Sequence, residues 1–371
     1  MRNLWRSGLG VLGGLLASTV TAQTWTDCNP LNTECPADIA LGMTINVDFT
    51  KGEVNSFAAS GSPTYDDQDG AQFTVAQGGD APQLGSLFTI MFGRVEITMK
   101  AAPGAGIVSS LVLESDTLDE IDIEWLGGSP DEMQSNYFGK GQTTTYNRGQ
   151  FHDVKNTQSD WITYTIDWTN ERIVWMVDGT VVRQLGYDDA EDNQYPQTPM
   201  QVKFGAWAGG DPNHNPSGTV KWAGGPTDYS QGPFTMSVQK LSITDYSTGK
   251  KYKYTDNSGS WQSIEAEDGE VNGNIDNKDA ITVTATAEGS AMTEDASVPV
   301  GGIADDGSSA TATQTGWPWD GSSSPTDSAI PEGWVMTDEG KLLPSSSPRI
   351  QAPQTAMLLL AALLGAFVVA Q

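Results

Sequence analysis

Apolar and polar residues alternate along the middle of the chain in short runs. RVEITMKA (94–101), IVSSLVLES (107–115), WITYTIDWT (161–169), RIVWMVDGTVVRQL (172–185), QVKFGAWA (201–208) and FTMSVQKLSITDY (234–246) follow one another in this way. A period near two is that of a strand with one buried face. Gly, Asn, Asp and Pro separate the runs. Asp178-Gly179 falls between two β-branched runs, which predicts a hairpin with a two-residue turn. No long segment repeats with the helical period of 3.6 residues. Regular short strands of this kind predict an all-β sandwich or jelly roll over residues 23–262.

After Trp261 the pattern stops. Residues 263–347 hold 16 acidic and 2 basic residues among many Ser, Thr, Gly and Ala. A segment so poor in apolar residues cannot offset its chain entropy by burial, so a disordered acidic stalk is expected there. Both ends are apolar. Residues 1–22 carry two Arg, an apolar run and a small-residue end at Ala22, the layout of a secretory signal peptide. The run AMLLLAALLGAFVVA (356–370) stops one residue before the C-terminus. It is short for a membrane span, which takes about 20 residues. Ser345, Ser346 and Ser347 precede it by about ten residues, as a GPI signal requires. Residues 348–371 are thus expected to be a GPI-anchor propeptide, with a tail-anchored span as the alternative. The expected location is the cell surface, with a lipid as the membrane contact.

Charge narrows the partners. The chain of 371 residues has 47 Asp plus Glu against 19 Lys plus Arg, a net charge of −28. Such a balance argues against nucleic acid and anionic membrane surfaces. Two His, His152 and His214, and two Cys, Cys28 and Cys35, are too few for a zinc site, which takes three or four N/S ligands. No metal or cofactor is expected. A secreted chain predicts a Cys28–Cys35 disulfide near the mature N-terminus. Twelve Trp and ten Tyr supply rings for core packing, and for stacking against sugars.

One stretch carries chemistry. In TLDEIDIEWLGG (117–128), a strand would put Leu118, Glu120, Asp122, Glu124 and Leu126 on one face. Ile121, Ile123 and Trp125 would point into the core, and Asp119 would fall on the apolar side. The Cα atoms of Glu120 and Glu124 would stand about 13 Å apart. Two Glu side chains leaning together would bring their carboxyls to about 5–6 Å. Retaining glycosidases hold their two carboxyls about 5–5.5 Å apart, and inverting ones leave more room for a water. Asp122, between them, would hydrogen-bond to Glu120 and raise the proton affinity of a neighbouring acid. An acidic surface strand and a calcium site are the other uses of such a row. Surface rows normally mix signs, because like charges side by side are destabilising.

The motif Glu-Ile-Asp-Ile-Glu-Trp resembles the glycoside hydrolase family 16 signature. More narrowly, the chain resembles the fungal Crh family of GPI-anchored chitin–glucan crosslinking enzymes. The similarity rests on DEIDIEWLGG, NYFGKG (136–141), FHDV (151–154), YTIDWT (164–169), VWMVDGTVVR (174–183) and the segments from KFGAWAGGDP to GTVKWAGG (203–225). It spans about residues 24–260. The resemblance implies a concanavalin-like β-jelly roll whose concave sheet holds a sugar chain. It implies Glu120 as nucleophile, Asp122 as its helper and Glu124 as general acid, then base. Lys203, Trp207 and Thr219, with Glu124, are then the substrate-binding candidates, and Tyr137 and Trp222 secondary ones. His152 would be structural or at the cleft edge. Tyr137, Phe138, Trp207 and Trp222 would line an acceptor cleft. The implied partners are a chitin donor and a β-glucan or chitin acceptor, met by a monomer. A plain β-glucan or chitin hydrolase would use the same acids. A lectin-like wall protein would have no need of an unpaired carboxylate row, and a single domain with a short stalk offers little to an adhesin.

Overall fold

In the computed structural model, residues 26–54, 56–142 and 147–276 are described, with the backbone of four short strands at 282–285, 312–314, 334–336 and 342–344. The signal segment, residues 348–371 and most of the expected stalk lie outside the described residues. The chain divides into a unit ending at Pro325 and a unit of residues 326–371. In the second, Trp334–Met336 pairs antiparallel with Leu342–Pro344.

The first unit is built from strands β1 (Asp38–Ile39), β2 (Thr44–Asp48), β3 (Phe57–Ser60), β4 (Thr64–Asp66), β5 (Gly70–Val75), β6 (Gln83–Ile90), β7 (Gly93–Lys100), β8 (Ile107–Ser115), β9 (Glu120–Leu126), β10 (Glu132–Phe138), β11 (Gln150–Asp153), β12 (Ile162–Trp168), β13 (Arg172–Val177), β14 (Thr180–Gly186), β15 (Met200–Ala208), β16 (Phe234–Asp245), β17 (Lys251–Tyr254) and β18 (Ile264–Glu267). The α-helix α1 (Ser217–Trp222) follows β15. One sheet runs β11-β10-β9-β8-β15-β6-β3. A second runs β14-β13-β12-β7-β16-β2, with β5 beside β16, β4 beside β5 and Thr282–Ala285 parallel to β2. The all-β jelly-roll expectation holds. The expected runs become β7, β8, β12, β13–β14, β15 and β16, with ends within about a residue. Asp178 and Gly179 turn the β13–β14 hairpin with φ of 45° and 74°, as a type I′ turn demands.

The two large sheets face each other across an aromatic core. Trp125 of β9 meets Tyr164 of β12 edge-to-face, centroids 4.6 Å apart. Trp168 and Trp175 are fully buried. Phe204 of β15 gathers Phe49, Phe57 and Phe73, with centroids 5.6–5.8 Å away. Their burial fixes which residues of the first sheet face inward. The alternate residues must then face away from the core, into the cleft described below.

The domain continues past the expected boundary at 262. Ile264–Glu267 is β18, paired with β17. Ile264 and Asn274 are buried, and Asn274 donates to Gly42 O, Asp245 O and Ser247 O. The acidic composition of the following segment conceals this strand. Its Ile-Glu-Ala-Glu order leaves Glu265 exposed and buries Ile264. Cys28 and Cys35 are joined as a disulfide.

Candidate active site

Strand β9 begins at Glu120, and Leu118 lies before it with φ 62°. Leu118 therefore drops out of the expected row. Glu120, Asp122 and Glu124 share the cleft face, while Ile121, Ile123 and Trp125 are fully buried in the core. Asp119 faces the other way and is fully committed. It accepts from Lys140 N at 2.9 Å, Gln197 N at 2.9 Å and Thr198 Oγ1 at 2.8 Å. It ties the start of β9 to two loops.

The three acids are 3%, 2% and 6% exposed, so their charges are dear. Burial, then repulsion from Glu124 and Glu120, raises the proton affinity of Asp122 well above that of an ordinary Asp. Burial and the Glu114 charge push Glu120 up to about 8, against the pull of an Asp122 hydrogen bond and of Lys203. That bond lowers the proton affinity of Glu120 and raises that of Asp122, so it favours the shared proton on Asp122. Glu120 Oε2 and Asp122 Oδ1 are buried and bond nothing in the protein. A stable fold rarely leaves such acceptors idle unless a ligand uses them.

Register builds the rest of the site. Across β8, β9 faces Glu114 opposite Glu120, Val112 opposite Asp122 and Ser110 opposite Glu124. Ser110 Oγ approaches Glu124 Oε1 at 3.4 Å and accepts from Trp207 Nε1 at 3.2 Å. On the other side, β10 sets Phe138, Asn136 and Gln134 opposite the same three acids. Gln134 Oε1 accepts from Trp222 Nε1 at 3.2 Å, and Phe151 of β11 pairs in register with Gln134. Phe151 is 51% exposed, a bare ring in the cross-strand row of Glu124.

A cleft of about 330 Å³ opens beside the acids over β8, β15 and β6, at the lower end of the range for ligand sites. Gln83, Ser110, Glu114, Lys203, Trp207 and Asn215 are among its walls. Lys203 and Trp207 thus reach the cleft. Lys203 Nζ pairs with Glu114 Oε2 at 2.5 Å. Trp207 stacks on Trp222, centroids 6.2 Å apart, and both rest on Val108, Leu126 and Ala223 at the end beyond Glu124. Thr219 sits half-buried in α1 and is not among the residues lining this cleft.

One expectation changes. Tyr137 pairs with core-facing Ile121. It is 3% exposed, its hydroxyl accepts from Glu191 N, and Arg183 covers its ring. It belongs to the core and lines no cleft, because β10 register gives it the parity of Ile121. His152 pairs with Met133 and bonds Ser135 Oγ at 2.8 Å on that same side. Burial, then Arg183, lowers its proton affinity. Glu114, Ser110, Gln134 and Phe151 were missed. The polar Ser110 and Glu114 at even spacing in IVSSLVLES were the available signal. No group of three or more His, Cys, Asp or Glu among the described residues could hold a metal.

A two-sheet β-sandwich with a row of buried carboxyls on one strand beside a cleft has the layout of a glycosidase-type site. The family model for glycosyl hydrolases family 16 matches residues 51–224. The chain is 54% identical to Crh-like protein 4 of Botryotinia fuckeliana, over 93% of this chain and 92% of that protein. It is 49% identical to Crh-like protein 4 of Aspergillus fumigatus, over 96% of this chain and 80% of that one. The solved Crh5 transglycosylase in complex with NAG superposes with a TM-score of 0.63 at 50% identity, covering 65% of this chain and all of the other. The chain belongs to the Crh-like proteins of glycosyl hydrolases family 16, and it is an enzyme of the glycosidase and transglycosylase type.

Proposed function

We propose that the protein is a retaining transglycosylase that cleaves a chitin-type donor and passes the glycosyl piece to a β-glucan or chitin acceptor, crosslinking the fungal wall. The observation that carries the chemistry is the buried row of Glu120, Asp122 and Glu124 beside a cleft, with idle acceptors on Glu120 and Asp122. The Crh5 transglycosylase likeness supports transfer.

In the first step, Glu124 gives its proton to the glycosidic oxygen as the bond to the anomeric carbon breaks. The Glu120 carboxylate forms the new bond to that carbon. Asp122 keeps the attacking charge on Glu120. In the second step, the acceptor hydroxyl loses its proton to Glu124 while its oxygen displaces Glu120. The piece held covalently must stay while the leaving group is exchanged. The cleft over β8, β15 and β6 suits the retained piece. The open flank over β10 and β11, with Phe138, Gln134 and Phe151, suits the acceptor. Water competes at roughly 55 M, so the acceptor must win by position, and the Phe151 ring offers it a stacking face.

In this reading residues 1–22 are removed on secretion and a GPI lipid replaces residues 348–371 at Ser345, Ser346 or Ser347. The monomeric enzyme then works at the plasma membrane or in the wall, on a stalk. Mass spectrometry of the mature C-terminus tests the anchor, since a protein retaining Gln371 has none. The reaction is tested by a time course with chitin oligomers and labelled laminarin oligomers. Hybrid products carrying the label should dominate early. Reducing ends rising one for one with donor loss, and no hybrid, would mark a hydrolase.

A further inference from the structure

We propose that Glu114 and Lys203 form a charge pair that sets the proton affinity of Glu120, which makes both of them positioning residues for the nucleophile. This rests on the role given to Glu120 above.

Glu114 stands directly opposite Glu120 on the neighbouring antiparallel strand. Opposed side chains have Cβ atoms about 4.5–5.5 Å apart. They are 4% and 3% exposed, so water does little to screen them. Two such carboxyls, left alone, share one proton, because both cannot ionise. A nucleophile held that way would be half disabled. Lys203 answers this from β15, with Nζ on Glu114 Oε2 at 2.5 Å. Its charge also reaches Glu120 and Asp116. The groups facing Glu120 are Glu114 from β8, Asp122 and Glu124 from its own strand, and Lys203 from β15. From β10 it meets Phe138, which carries no charge. Lys203 is therefore the cation among these groups, and it acts through Glu114 as well as on Glu120.

The pair has a signature that neither sugar binding nor plain structure shares. Removing the cation leaves Glu114 as an uncompensated negative neighbour, and Glu120 should hold its proton more tightly. Removing Glu114 leaves Lys203 facing Glu120 alone, and the proton should leave more easily. Removing both should nearly cancel. If Lys203 only held a sugar hydroxyl, its loss would raise KM and leave the titration in place. If the pair were only structural, Tm would fall with no titration shift.

The test is a carboxyl-carbon NMR titration of the folded protein labelled in Glu, with the Glu120 signal assigned by its absence in Glu120→Gln. No substrate is used, so the result is independent of the transfer reading. Lys203→Met should move the Glu120 midpoint up by about one pH unit or more, and Glu114→Gln should move it down by about as much. The double variant should return near the parent, and Lys203→Arg should stay there. Lys203→Gln carries the test if Lys203→Met does not fold. The acidic limb of kcat/KM on an aryl chitooligosaccharide should shift in the same directions. Shifts of the same sign in Lys203→Met and Glu114→Gln, or shifts in neither, overturn the proposal.

Discussion

Asp245 and the Glu120–Asp122 pair are buried carboxyls of one sandwich, and their surroundings treat them oppositely. Asp245 accepts from Gly42 N at 2.9 Å, Met91 N at 3.1 Å, Ser247 N at 3.0 Å and Tyr252 Oη at 2.6 Å. These four donors satisfy it, and it clamps the chain near β2, the β6–β7 turn and β17 together. Glu120 and Asp122 have each other, and one oxygen of each bonds nothing in the protein. Burial raises proton affinity at both places, to about 7 at Asp245 and about 8 at Glu120. Proton affinity alone therefore does not separate structure from function here. Unspent hydrogen-bonding capacity facing a cleft does.

The contrast breaks most visibly in the acids themselves. Glu120→Gln should lower transfer on the order of 10⁴-fold or more, and Glu124→Gln by about 10²–10⁴-fold with a poor leaving group. Neither should lower Tm, because each leaves one ionisable carboxyl fewer to repel the others in the buried row. Circular dichroism melts beside product assays would read both. Asp245→Asn should do the reverse. It places an amide N–H against backbone N–H donors and should cost about 3 kcal/mol of stability. Turnover per folded molecule should stay as in the parent.

Next in size is pH. An unfolded chain gives up these protons near the ordinary values of 4.5 for Glu and 3.8 for Asp, while the folded state keeps them to about 8 at Glu120 and about 7 at Asp245. The folded state thus binds more protons through that window. Stability is full below about pH 4 and falls as pH rises, by up to about 1.4 kcal/mol per unit for each group. Melts from pH 4 to 8 should show this, and the slope between pH 5 and 7 should be smaller in Asp245→Asn and in Glu120→Gln. The smallest effect expected is at the open flank. Phe151→Ala should raise the acceptor KM about tenfold, the worth of one aromatic contact, and leave donor hydrolysis unchanged.

Much of this contrast was readable from sequence, and the unread part has a physical cause. The row of Glu120, Asp122 and Glu124 was legible because period-two alternation with Ile121, Ile123 and Trp125 fixes its facing within one strand. Glu114 and Phe151 were not, since their approach depends on register between strands, which long-range packing sets. Tyr137 was misplaced for the same reason, as nothing local says which parity of β10 faces the cleft. Asp119, an acid beside three others, was set apart by its parity, but its three donors come from loops that sequence alone does not bring to it. Strands β1 to β6 escaped notice because most are short and several are rich in Ala, Ser or Gly, so their pairing comes from the sheets they join.

The central claim is that Glu120 bears the covalent intermediate and Glu124 moves the proton. Glu124→Gln with an activated aryl chitooligosaccharide tests it directly. The good leaving group departs without an acid, while the missing base slows breakdown, so the glycosyl-enzyme should accumulate. Peptide mass spectrometry after rapid acid quenching should find the sugar mass on the peptide that contains Glu120, with fragments assigning it to that residue. Sugar on Asp122 or at position 124, or no covalent sugar with product of inverted configuration, would contradict the account.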